Sequence, residues 1–87
     1  MGLMPGMARA LALAMTQAII TETRDSQGVL CAVRAECAEF SGKSFFEIEC
    51  LLSDARPDLA SFLADSSHYY SESAGVVVFE SAAYARE

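Results

Sequence analysis

Three consecutive segments between Gln17 and Leu52 alternate between apolar and polar residues, and this alternation constrains the fold more than any other feature of the chain. The segments cover residues 17–24, 29–40 and 44–52. A period of two is typical of a strand with one face in the core and the other in water. The breaks at 25–28 and 41–43 contain the Asp, Ser and Gly residues of short hairpin turns. The pattern therefore predicts a three-stranded antiparallel meander.

One register sorts the second and third segments into an apolar and a largely polar face. If Ser41 pairs with Ser44, the predicted pairs are Cys37–Ile48, Ala35–Cys50 and Val33–Leu52 on the first face, and Phe40–Phe45, Ala38–Glu47 and Glu36–Glu49 on the second. Like charges opposite each other destabilise a sheet. Local stability alone therefore does not explain Glu36 opposite Glu49.

A helix is predicted over residues 54–65. Ser53 and Asp54 are capping residues, and Pro57 suits a first helical turn, where its missing N–H costs nothing. An apolar stripe at helical spacing should lie on the apolar face of the sheet. The stripe contains Leu59, Phe62 and Leu63, and the sheet face contains Ile20, Val33, Ile48 and Leu52.

Two more elements are predicted towards the end of the chain. The run of β-branched residues from Val76 to Phe79 predicts a strand over 76–80. A turn at Ala74-Gly75 could join it to a preceding strand, with Tyr70 opposite Phe79. The alanine-rich tail, 81–87, predicts a short helix.

The first fourteen residues leave three alternatives open. Their Ala/Leu-rich part favours a helix over about 7–15. The same run is similar, though short and weakly charged, to a secretory signal peptide. It can also be an extension that precedes a compact domain starting near Met15. We therefore expect one α+β domain over 1–87, in which 1–14 are either part of the fold or a loosely attached extension.

Composition limits the classes of partner. The net charge is −6, with six basic against twelve acidic residues, which argues against direct nucleic-acid binding and favours a protein with a basic surface. No apolar run approaches the roughly 18 residues of a membrane-spanning helix. A hydrophobic fraction of 53% in so short a chain either fills a dense core or is shared with a partner, for which a homodimer is the candidate. Three cysteines, with Cys37 and Cys50 expected in the core, indicate free thiols and a cytoplasmic location.

No catalytic or metal motif is found, and we expect neither an enzyme nor a cofactor. His68 lies beside Asp65, Ser66 and Ser67, but catalytic triads are assembled from distant positions. Structural zinc sites use ligands two to four residues apart, a spacing that Cys31, Cys37 and Cys50 do not have. The carboxylate pair lies on an open face rather than in the concave, dry site that catalysis needs.

The acidic and aromatic residues are the remaining candidates for function. Aromatic side chains ringed by like charge are typical of a binding surface, where the aromatic groups supply affinity and the charges steer the partner. The alternative is a solvated sheet face whose phenylalanines pack under the amino-terminal helix. The predicted partner-binding residues are Glu36, Glu47, Glu49, Asp54, Asp58, Asp65, Phe40 and Phe45.

The predicted order of elements resembles that of three kinds of protein. Double-stranded RNA-binding domains share the order helix, three strands, helix, but they are basic where this chain has Asp54-Ala55-Arg56-Pro57-Asp58. The same order with a hairpin and tail resembles the small acidic chaperones of type III secretion. Small acidic α+β proteins without motifs are also similar in type to phage-encoded anti-CRISPR and DNA-mimic antagonists. We therefore expect an inhibitor that occludes a basic surface, with a secretion-type chaperone or homodimeric adaptor as the alternative.

Overall fold

The computed structural model describes residues 17–85, and the predicted helix at 7–15 lies outside them. Four strands and three helices follow one another in this part of the chain. They are β1 Ile19–Arg24, β2 Leu30–Glu36, α1 Phe45–Ala55, α2 Ala60–Asp65, β3 Ser67–Ser71, β4 Val76–Glu80 and α3 Ala82–Ala85. Short 3-10 turns at Ala38–Phe40 and Pro57–Leu59 precede α1 and α2. The α+β class is as predicted.

The strands form one antiparallel sheet in the order β1-β2-β4-β3. One row across it joins Glu22, Val33, Phe79 and His68. Tyr70 therefore lies opposite Val77, and the predicted pairing of Tyr70 with Phe79 is wrong. The cause is the β3–β4 turn, which contains the four residues 72–75 instead of two.

The helical segment covers one face of this sheet. The buried side chains of β2 and β4 alternate along each strand and pack with those of α1 and α2. The core contains Val33, Ala35, Cys37, Phe40, Ile48, Leu52, Leu59, Leu63, Val77 and Phe79. Ile20 and Phe62 are partly buried against it, so the predicted apolar stripe and sheet face do meet. The opposite face, which we call the open face, carries Ile19, Arg34, Tyr69 and Val78.

The predicted third strand, 44–52, is wrong, because these residues form most of α1. Ser44 caps the helix, and Phe45, Ile48 and Leu52 follow at the spacing that places apolar side chains on one helical face. The second predicted strand ends early, at Glu36, and residues 38–40 form a 3-10 turn. None of the predicted pairs between 35–40 and 45–50 therefore exists as a strand pair.

The predicted helix at 54–65 is interrupted. Residues 54 and 55 complete α1, and α2 begins only at Ala60. Pro57 causes the break, since it has no N–H and its ring disfavours helical backbone at the preceding residue, Arg56. Within residues 17–85 no helix is both long and apolar enough to cross a membrane.

The β3–β4 turn rests against the end of β2 through Gly75. This residue has φ +68°, and its carbonyl accepts a hydrogen bond from the Cys37 N–H at 2.9 Å. A Cβ atom on Gly75 would lie 2.4 Å from the Cys37 carbonyl oxygen. Only glycine allows this approach, so the turn fixes the position of the segment that leads into α1.

Candidate functional site

The outward side of α1 forms a shallow groove of about 270 Å³. We call it the α1 groove, and it is lined by Lys43, Phe46, Glu47, Cys50, Leu51 and Asp54. Phe46 is 72% exposed, the largest exposure among the bulky apolar residues that the structure describes, and Cys50 is also exposed. Apolar surface and carboxylates therefore meet on one helical face.

Helical spacing explains how these residues come together. Phe46, Cys50 and Asp54 are separated by four residues each, and Glu47 and Asp54 by seven, so all four point away from the core. The strand predicted for residues 44–52 would instead place Phe46 and Cys50 in the core. The expectation that Cys50 is buried is thus wrong, and Phe46 is missed as a candidate. The pattern Ser44-x-x-Glu47 before an apolar run is the sequence signal that could have identified it.

Glu47 has a structural role at the start of α1. Its carboxylate accepts hydrogen bonds from the Ser44 N–H at 3.2 Å and from the Ser44 hydroxyl at 3.1 Å. These bonds lower the pKa of the Glu47 carboxyl, and the charge of Lys43 lowers it further. Glu47 is therefore a carboxylate near neutral pH, with one oxygen already committed to the helix cap.

Asp54, Asp65 and Glu49 lie on the two helices of the layer that covers the sheet. Within residues 17–85 none of the three has an ion-pair partner. Asp54 lies in the last turn of α1 and Asp65 ends α2, both exposed. A carboxylate at the carboxyl end of a helix is disfavoured by the helix dipole. The helix ends thus do not explain these two acids.

Glu36 does not join this group. It lies on β2, opposite Ile19 and Val76, and forms an ion pair with Arg34 at 3.1 Å on the open face. Glu49 is half-buried on α1, in the layer that covers the other face of the sheet. The predicted pairing of Glu36 with Glu49 is wrong because it depended on the third strand.

The negative charge of Asp58 is compensated by an ion pair within the chain. Both of its oxygens accept hydrogen bonds from Arg56, at 2.9 and 2.7 Å, and Arg56 also binds Glu22, which in turn binds Arg24. Hydrogen bonds from Arg56 lower the pKa of Asp58, and those from Arg24 and Arg56 lower the pKa of Glu22. This chain of four charges ties β1 to the segment after α1. Asp58 is therefore part of a structural network and not a free acid.

The two predicted aromatic anchors are not on an open surface. Phe40 is fully buried, so the expectation that it is exposed is wrong. Phe45 is half-buried, with its ring stacked on His68 at a centroid distance of 3.5 Å and near Phe79 at 5.4 Å. The stack closes the edge of the core beside β3. Phe46 is the aromatic residue of this segment that a partner can reach.

The polar residues around His68 are not arranged as a nucleophile and base. The Ser66 hydroxyl donates to the Phe62 carbonyl at 2.5 Å, and the His68 ring is stacked on Phe45. In the described part of the chain, no group of three or more His, Cys, Asp or Glu residues could hold a metal ion. A larger cavity of about 460 Å³ lies between the β1–β2 turn and α3. None of the predicted site residues lines it.

Comparison of the chain with protein-family models, with curated proteins and with solved structures found no match in any of the three. Its function therefore has to be inferred from its own surface. The helical layer offers carboxylates that have no ion-pair partner among residues 17–85, together with the exposed ring of Phe46. Such groups are suited to binding another protein.

Proposed function

We propose that this chain is a non-enzymatic, acidic protein-binding module that occludes the basic, nucleic-acid-binding surface of a larger protein. Phage-encoded anti-CRISPR and DNA-mimic antagonists act in this way. One observation carries the proposal. The arginines of residues 17–85 are all held in internal ion pairs, whereas Asp54, Asp65 and Glu49 on the helical layer have no ion-pair partner there.

The mechanism follows from the charges. A basic groove attracts phosphates mainly by electrostatics, and carboxylates on a rigid surface can substitute for them. The uncompensated acids of α1 and α2 would speed the encounter and oppose the target's Lys and Arg side chains. Glu47 contributes its free oxygen at the start of α1. Once bound, the module prevents nucleic acid from entering the groove.

The first test is capture of the target from host-cell lysate on the purified chain, at low and at high salt. The proposal expects a nucleic-acid-handling protein that is retained at low salt and released at high salt. The purified target should then lose a labelled DNA or RNA duplex when the chain is added. Retention of an unrelated polypeptide at both salt concentrations contradicts the proposal.

Neutralising variants locate the acids that matter. The pair Asp54→Asn and Asp65→Asn removes two charges from the helical layer, and Glu36→Gln with Glu80→Gln removes two from the open face. We expect the first pair to weaken target binding by about tenfold, equivalent to about 1.4 kcal/mol. The second pair should change it by less than about threefold. Equal effects of the two pairs would show that only net charge matters.

A secretion-type chaperone or homodimeric adaptor is the second candidate, and the open face favours it. Ile19 and Tyr69 are 61% and 60% exposed there, and Val76 and Val78 are only half-buried. Such a protein would bury this face in a dimer. Sedimentation analysis of the wild type and of Val78→Lys tests it, since a dimer that uses the open face should dissociate in the variant.

A further inference from the structure

The α1 groove combines an apolar floor with differently charged ends. Phe46, Cys50 and Leu51 form the floor, and Leu51 is 9% exposed, so it contributes mainly the edge of its side chain. Phe46 extends from the helix into solvent. Exposed apolar surface of this size is unfavourable in water, and its burial lowers the free energy. An apolar group of a partner that packs against this floor would bury the exposed ring.

The charge of the groove is concentrated at one end. Lys43 and Glu47 lie together where α1 begins, and the positive charge of Lys43 helps to lower the pKa of the Glu47 carboxyl. Asp54 lies at the other end and has no ion-pair partner within residues 17–85. The carboxyl end of α1 adds the negative end of the helix dipole at this point. A cation is therefore favoured at the Asp54 end.

We infer that the α1 groove receives a short extended segment of the protein partner, with a large apolar side chain on Phe46 and Leu51 and an Arg or Lys at Asp54. This inference rests on the proposed function and specifies the part of the helical layer to which the partner binds. Arg suits the site well, because its planar group can bind both oxygens of a carboxylate.

The length of the groove sets the spacing in the partner. Phe46 and Asp54 are about 12 Å apart along the helix axis, at ~1.5 Å per residue. An extended chain covers this distance in about four residues, at ~3.3 Å each. The apolar and basic residues of the partner should therefore lie within about four positions of each other.

The test uses a displayed library of random twelve-residue peptides selected on the full chain. Selected peptides are then labelled, and their affinities are measured by fluorescence anisotropy against matched variants. Phe46→Ala is compared with Tyr69→Ala, because both aromatics are mostly exposed but lie on different faces. Asp54→Asn is compared with Glu72→Gln, because both acids are exposed and neither has an ion-pair partner within residues 17–85.

Support requires peptides enriched in Arg or Lys within about four residues of a large apolar residue. Their affinity should fall by about tenfold or more in Phe46→Ala and Asp54→Asn, and by less than about threefold in the two controls. Cys50 supplies an independent readout, since a bound peptide should slow its alkylation by N-ethylmaleimide. Selection of no such peptide, or unchanged Cys50 alkylation, overturns the inference.

Asp54→Asn and Asp65→Asn, tested singly on the captured target, separate failure of this inference from failure of the proposed function. If the captured target is salt-sensitive but is weakened by Asp65→Asn and not by Asp54→Asn, the groove is the wrong site and the proposed function stands. If the captured partner lacks a basic nucleic-acid-binding surface, the proposed function fails, whatever the groove binds.

Discussion

The Ser44 hydroxyl accepts a hydrogen bond from the Glu47 N–H at 3.1 Å, while the Glu47 carboxylate accepts one from the Ser44 N–H at 3.2 Å. This reciprocal pair satisfies backbone donors at the start of α1 that have no partner within the helix. The same two residues begin the helical layer, which buries Ile48 and Leu52 against the sheet. The cap therefore stabilises both the helix and the placement of the α1 groove.

Removing the cap should cost stability. We expect Ser44→Ala to lower the free energy of unfolding by about 1 kcal/mol, because the N–H of Glu47 loses its acceptor. Urea denaturation followed by circular dichroism measures the change. Ser41→Ala is the control, since Ser41 is exposed and its side chain makes no hydrogen bond in the described structure. If both variants unfold like the wild type, the cap does not contribute.

The network of Glu22, Arg56 and Asp58 should make stability depend on pH in the acid range. Hydrogen bonds from Arg24 and Arg56 hold the pKa of Glu22 below its ordinary value of 4.5, and those from Arg56 hold the pKa of Asp58 below its ordinary value of 3.8. A lowered folded-state pKa stabilises the fold above the unfolded-state value, and this contribution is lost as pH falls through the folded-state value. Stability should therefore decline below about pH 4.5, and Arg56→Gln should reduce that decline.

The measurement is the urea midpoint of each protein at a series of pH values from neutral to acid. Arg34→Gln is the matched control, because Arg34 forms an exposed pair with Glu36 that connects no other element. Exposed pairs of this kind contribute little. An Arg56→Gln profile parallel to that of the wild type would exclude a role of the network in acid sensitivity.

Gly75 and Gly42 should respond differently to the same substitution. Both have positive φ, +68° and +86°, but a Cβ on Gly42 meets nothing within 4 Å, whereas one on Gly75 meets the Cys37 carbonyl. We expect Gly42→Ala to cost about 1 kcal/mol from backbone strain alone. Gly75→Ala should cost clearly more, about 3 kcal/mol or above, because backbone must move. Equal losses in thermal unfolding would contradict this close contact.

Adjacent phenylalanines should separate stability from binding. Phe45 is half-buried between His68 and Phe79, so Phe45→Ala should lower stability by about 2 kcal/mol. Phe46 extends into solvent, and Phe46→Ala should change stability by no more than about 0.5 kcal/mol. Chemical denaturation of both variants gives the comparison. A large loss in Phe46→Ala would show that this ring packs against the chain itself.

Sequence patterns predicted the elements whose side chains meet the core on one face. β1 and β2 were predictable because apolar residues of the core face, such as Ile20 and Ala35, alternate with polar residues such as Thr21 and Arg34, and β4 was predictable from the run of β-branched residues that begins at Val76. Residues 44–52 also alternate, but in this segment the alternation is accidental. Phe45, Ile48 and Leu52 form an equally good helical stripe, and the cap at Ser44 decides between the two. The alternation of apolar and polar residues carries no information about helix capping, so it could not reveal that a helix begins after Ser44.

The candidate site was predictable only in part. Asp54 and Asp65 were expected at the surface and are exposed there. Phe46 was missed, and Phe40 was placed outside, because both assignments depended on the wrong third strand. The ion pair between Arg56 and Glu22 depends on how β1 approaches the segment after α1, which local sequence does not encode.

The strand order β1-β2-β4-β3 has a consequence for how the chain folds. The β1–β2 and β3–β4 pairs are hairpins between neighbours in sequence, which close in about 1–10 μs in isolation. The β2–β4 pair joins them across the whole helical segment and carries the larger entropic cost of loop closure. We therefore expect its formation to limit the folding rate. Truncating Val33 or Val77 should slow refolding, whereas changes in the outer strands should mainly speed unfolding.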